Sequence, residues 1–279
     1  MRSLRDSKAL PEPHASFLAS AVDRLKQDLR LVGVAAGGSY LTQSIDEFSD
    51  LDLVIATEPA SYQTIMSTRH EIAASLGPLL AEFTGEHVGE PRLLICLFGP
   101  PLLHVDLKFI SLDDAAARVE DPAILWERDG RFSVAFRAAA SRYPQPDLQW
   151  IEDRFWTWIH YGAGKIGRGE LFEAIGFLAY LRAEVLGPLS LVLSGQRAAG
   201  VRKLEVAAPN LARQMQATVP AYDAGACAAA LRAAAQMYRE LRAGLASKEL
   251  RINARAEEVA MDYLADIESR CRLTPLEAT

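Results

Sequence analysis

Residues 37–53 read GGSYLTQSIDEFSDLDL. Two glycines and a serine open this stretch directly after the apolar run Leu31–Ala36. Two acids, Asp50 and Asp52, close it inside a second apolar run that continues through Leu53, Val54 and Ile55. Side chains alternate along an extended strand, so Asp50 and Asp52 share one face while Leu51 and Leu53 point to the other. Two carboxylates about 7 Å apart on one side of a strand repel unless positive charge lies between them, and a divalent cation meets that need. A third acid fits the same plan. His104-Val105-Asp106-Leu107-Lys108-Phe109 alternates polar and apolar residues, the pattern of a half-buried strand with Asp106 on the face of His104 and Lys108. If that strand lies beside the first, the three carboxylates meet and offer the oxygen ligands that Mg²⁺ prefers.

Gly38-Ser39, then Asp50-Leu51-Asp52 starting eleven positions after the serine, then a distant apolar-Asp-apolar strand, resemble the nucleotidyltransferase signature of the DNA polymerase beta superfamily. The resemblance covers roughly residues 30–110. It implies that Asp50, Asp52 and Asp106 are catalytic and hold one or two Mg²⁺ ions. It further implies that Gly38 and Ser39 bind the β- or γ-phosphate of ATP, and that Asp106 bridges metal or takes the proton of the attacking hydroxyl. A surface turn followed by a solvated edge strand is the plain alternative, but two acids flanked by leucines do not suit a solvent face.

Working away from the signature, apolar spacing predicts a helix over 14–30, a strand at Leu31–Ala36 and a short helix over Ser39–Ile45. A strand over 51–56 and a helix from Pro59 to about Leu76 follow. Leu79–Thr84, Arg92–Phe98 and Leu102–Ile110 have strand character, Asp113–Glu120 reads as a short helix, and 124–126 as a short strand running into a turn at Glu127–Arg131. This half is expected to be an α+β domain with a mixed sheet and helices on one side. Ser141–Gln149, with Pro144 and Pro146, is the expected linker. Residues 148–168, 170–194, 209–218, 223–246 and 254–271 have helical periodicity, so the expected domains are 1–143 and a helical bundle over 144–279. A nucleotidyltransferase core followed by such a bundle resembles the aminoglycoside and lincosamide nucleotidyltransferases, with Phe155–Leu181 the nearest part of the bundle.

Within that segment, Lys165 is a candidate cation for the triphosphate. His104 reads as a surface histidine, Lys108 as a structural partner of Asp106, and His70 and His87 as solvated. Trp156, Trp158, Tyr161, Phe172, Phe177 and Tyr180 read mostly as core, and Glu170, Glu173 and Glu184 as a solvated helix face. Cys96, Cys227 and Cys271 are scattered and never in a CxxC pair, which argues against disulfides or zinc and for small core hydrophobes.

Of 279 residues half are hydrophobic and 24% charged, with a net charge of −6. The missing basic stripe makes polymeric nucleic acid a poor substrate, whereas an acidic balance suits a cationic small molecule. The N-terminal residues lack an apolar signal region and no apolar run reads as long enough to cross a bilayer, so a cytoplasmic location without membrane contact is expected. P-loop, HExxH and GxSxG motifs are absent from the sequence. The expected activity is therefore Mg²⁺-dependent transfer of AMP from ATP to a hydroxyl of a small polar acceptor, by resemblance an aminoglycoside- or lincosamide-type antibiotic. Transfer to a protein or tRNA, as in toxin–antitoxin nucleotidyltransferases, and a non-catalytic nucleotide-binding module are the alternatives. The Ala-rich helices could also bury a homodimer face.

Overall fold

The apolar run Leu31–Ala36 forms strand β1, buried along its whole length. Strands β2 (Leu51–Thr57), β3 (Leu79–Gly85), β4 (Glu90–Phe98), β5 (Leu103–Ser111) and β6 (Ala123–Glu127) join it in a six-stranded mixed sheet of order β3-β4-β5-β2-β1-β6. β2 and β5 are parallel and the other neighbours antiparallel. These elements come from a computed structural model that describes residues 10–273 of a chain dividing into two units, Met1–Tyr143 and Pro144–Thr279. The fold is α+β, with a helical C-terminal unit.

One face of the sheet carries Leu51, Leu53, Ile55, Val105, Leu107 and Phe109. It is sealed by α1 (Glu12–Leu25), through Leu18, Ala21 and Leu25, and by α2 (Tyr62–Ala74), through Ile65 and Ala73. Each of these large side chains removed from water contributes roughly 1.5–3 kcal/mol. The opposite face is split along its length. Val54, Ala56 and Ile110 are covered by Phe132, Ala135 and Phe136 of α3 (Arg131–Arg137), while Asp52 and Asp106 occupy the half that this patch does not include. A Cβ on Gly33 would come 2.5 Å from Phe132, so a glycine in β1 makes room for that ring.

Five expectations need correction in this unit. α1 ends at Leu25 rather than residue 30, because the Asp28 carboxylate accepts the Arg30 amide at 2.9 Å and bonds its guanidinium, closing a turn instead of another helical turn. Ser39–Ile45 is not an α-helix but a single 3₁₀ turn at Gly38–Tyr40, and Asp113–Glu120 holds only a 3₁₀ turn at Leu112–Asp114. Helices cover both faces of the sheet, since α3 follows the turn at Asp129-Gly130. His70 is not merely solvated, for its Nδ1 lies 2.8 Å from Glu82 Oε1.

In the C-terminal unit Asp147 caps α4 (Leu148–Gly167) by accepting the Trp150 amide, and Asp223 caps α9 (Ala224–Leu245) by accepting the Ala226 amide. Between them lie α5 (Leu171–Leu181), a π turn over Arg182–Leu186, α6 (Gly187–Leu193), α7 (Leu204–Ala207) and α8 (Pro209–Met215). α10 (Ala254–Leu273) follows. Small residues set the spacing. A Cβ on Gly162 would come 2.9 Å from Leu231 of α9, and one on Gly167 2.9 Å from Ile267 of α10. Against the expectation that no run is long enough, Leu171–Leu193 is long and apolar enough to cross a bilayer by length and composition, and half of it is buried within the helical core. Trp156 is core as expected, but Phe172 is 80% exposed and Tyr161 and Tyr180 are also open to solvent. Cys96 and Cys227 are buried and Cys271 half-buried, all three free thiols. Burial pushes the Cys96 thiol up to about 12.

Glu152, on α4, is buried among the apolar residues of this core. It accepts hydrogen bonds from Tyr238 Oη at 2.7 Å, Trp156 Nε1 at 3.2 Å, the Asn253 amide at 3.2 Å and Arg242 Nη1 at 3.0 Å. Burial opposes its ionisation, yet the bonds from Tyr238, Arg242 and Asn253 outweigh that and hold the carboxyl below its usual range. Burial and the bond to Glu152 together push the Tyr238 phenol up.

Candidate active site

In a parallel pair, residues directly abreast point to the same face, and the register of β2 and β5 sets Asp52 abreast of Asp106. Asp50 immediately precedes β2 and shares Asp52's face by alternation. One carboxylate oxygen from each of Asp50, Asp52 and Asp106 lies within 4.8 Å of the other two. The neighbours Leu51, Leu53, Val105 and Leu107 are buried in the opposite core, so the strands cannot rotate to separate the acids without exposing those four side chains.

The approach to Asp50 is fixed by local polar bonds. Asp46 Oδ1 accepts the Phe48 amide at 3.1 Å and the Ser49 hydroxyl at 2.8 Å, an Asx-type turn. The buried His14 of α1 donates Nε2–H to the Ser49 carbonyl at 2.7 Å, one residue before Asp50.

The glycine turn adjoins the acids. The Gly37 amide donates to the Asp52 carbonyl at 2.9 Å. Gly38 has φ +55°, a left-handed conformation natural to glycine, and a Cβ there would run into Asp52 Oδ2. The Ser39 hydroxyl is buried and has no hydrogen-bond partner among the described residues. A buried hydroxyl normally has a partner, so one beside an acidic cluster and a glycine turn is suited to a ligand oxygen.

Other expected residues fall differently. Lys108 does not pair with Asp106. Its Nζ lies 2.6 Å from Glu90 Oε2, because the antiparallel pairing of β4 with β5 brings the start of β4 within reach. Arg92 first, then Lys108, hold the Glu90 carboxyl at about 2, below its ordinary 4.5. Its folded value being depressed, its contribution to stability is present above pH 4.5 and lost as pH falls from 4.5 toward 2. Glu90→Gln should therefore lower the melting temperature at pH 6 and leave it near wild type at pH 2. Equal losses at both pH values would contradict the assignment.

His104 Nε2 lies 3.1 Å from Asp106 Oδ1. Lys165 belongs to the C-terminal unit, where its Nζ donates to Glu170 Oε2 at 2.6 Å and sits 3.8 Å from Glu173. Glu120, which no sequence pattern singles out, reaches the glycine turn and accepts the Gly38 amide on Oε1 at 2.9 Å.

No family model matches the chain, and no curated protein matches it. Among solved structures the chain is similar to an aminoglycoside 6-adenyltransferase from Bacillus subtilis, at 16% identity over 90% of this chain and 97% of that one, with a TM-score of 0.38. It is also similar to a nucleotidyltransferase-like protein from Exiguobacterium sibiricum, at 12% identity over 95% of this chain and 96% of that one, with a TM-score of 0.37.

Proposed function

We propose that the chain is a Mg²⁺-dependent nucleotidyltransferase moving AMP from ATP to a hydroxyl of a small polar acceptor, of aminoglycoside or lincosamide type. The observation that carries this reading is the meeting of Asp50, Asp52 and Asp106 within 4.8 Å, beside a left-handed glycine. Three hard oxygen donors from separate positions of two adjacent strands suit Mg²⁺, which would be held by these carboxylates. When bound it would supply neutralisation of charge on the triphosphate and on the entering and leaving oxygens.

The chain's own residues do the rest. The Gly38 amide and Ser39 hydroxyl bind a terminal phosphate, holding the α-phosphorus in line with the acceptor. Acceptor oxygen bonds to that phosphorus as its bond to the bridging oxygen breaks, pyrophosphate leaves, and Asp106 accepts the hydroxyl proton. The motif resemblance and the net charge of −6 support a cationic acceptor.

Incubating the chain with ATP, Mg²⁺ and a panel of aminoglycosides and lincosamides should release pyrophosphate with at least one of them, and chelation should stop it. No turnover on any member would overturn the acceptor class. Gly38→Ala should lower turnover by at least about tenfold, because the methyl group meets Asp52 and the backbone strain is only about 1–2 kcal/mol. Pyrophosphate release and a thermal melt would separate the two effects. A variant with wild-type turnover would contradict the role given to the turn.

A further inference from the structure

Gly37 and Gly38 are glycines for different reasons. Gly38 needs its left-handed backbone, but Gly37 has an ordinary φ of −109° that any residue adopts. What a side chain at Gly37 would meet is Glu120, whose Oε1 would lie 2.7 Å from an added Cβ. The turn is therefore shaped to admit an anionic oxygen at the Gly38 amide, and Glu120 Oε1 occupies that position at 2.9 Å, reaching across from a residue 82 positions away.

We infer that the Glu120 carboxylate competes with the nucleotide's phosphate for the Gly38 amide and so sets the affinity for the nucleotide. This rests on the proposed function. One N–H donates to one well-aligned oxygen, and two anions on it repel, so phosphate gains the amide only as Glu120 leaves it. The residues around Glu120 are tied down. Arg118 Nε donates to Asp121 at 2.7 Å, Arg118 Nη1 donates to the Ala139 carbonyl at 2.8 Å, and the Ser141 hydroxyl donates to Asp121 at 3.0 Å. Release requires the Glu120 carboxylate to swing off the Gly38 amide. The exchange lowers the apparent affinity by the fraction of molecules in which the carboxylate holds the amide.

The test is equilibrium titration with the α,β-methylene analogues of ATP and GTP in Mg²⁺, which cannot be turned over, on wild type, Glu120→Gln and Glu120→Ala. Glu120→Ala should bind about tenfold tighter, the scale of one charge-assisted hydrogen bond. Glu120→Gln, which keeps an acceptor but loses the charge, should fall between. Tripolyphosphate, carrying phosphates without a base, should give the same order. Should Glu120→Ala fail to fold, Glu120→Gln decides alone. Binding unchanged or weakened by the substitutions would overturn the inference and leave the proposed function standing. A wild-type chain that binds neither analogue would overturn both.

Discussion

Replacing Asp52 by asparagine is expected to remove at least about a thousandfold of turnover while leaving the fold intact. Asp52 stands abreast of Asp106, and its carboxylate is one of three with oxygens inside 4.8 Å. Asparagine puts a neutral amide of the same shape in that position. The same amide is a weaker ligand for a hard cation and supplies no negative charge. Activity should therefore fall without a matching loss of stability. The Asp52 carbonyl still accepts the Gly37 amide in the variant, so the turn keeps its anchor. Pyrophosphate release and a thermal melt on the same preparation check both halves. Turnover within tenfold of wild type would break the assignment of Asp52.

The largest loss of stability is expected from Arg242→Met. Glu152 is fully enclosed, and Arg242 Nη1 lies 3.0 Å from both of its carboxylate oxygens while Nη2 lies 3.0 Å from Glu257. Removing the guanidinium leaves a buried carboxylate with hydrogen bonds but no counter-charge, at a cost of about 3–5 kcal/mol. For a unit of this size that lowers the melting temperature by about 10 °C or more. The pair Glu152→Leu with Arg242→Met should be milder than Arg242→Met alone, since no charge is then stranded. Melting of both variants tests this, and a double variant less stable than the single one would contradict the account.

The strands that bear the acids are legible in the sequence because their two faces have opposite characters. Leu51 and Leu53 must face a core if Asp50 and Asp52 do not, and Val105, Leu107 and Phe109 say the same of β5. What escapes is anything decided by a partner distant in sequence. Periodicity carries the first helix on to Leu29, yet Leu29 is exposed and the chain has already turned at Asp28. Glu152 looks like any polar position on an amphipathic helix, because Arg242, the group that lets it be buried, lies 90 residues away. Lys108 and Asp106 share a face, as alternation requires, but the sheet order brings Glu90 to the lysine. Glu120 lies in an irregular segment with no period to mark it, and only folding brings it to Gly38.

The most direct measurement is a crystal structure with Mg²⁺ and the α,β-methylene analogue of ATP bound. The account predicts a metal ion ligated by Asp50, Asp52 and Asp106, with a terminal phosphate on the Gly38 amide and the Ser39 hydroxyl. A nucleotide bound elsewhere, or a metal that leaves Asp106 outside its ligand set and beyond reach of the acceptor oxygen, would contradict it.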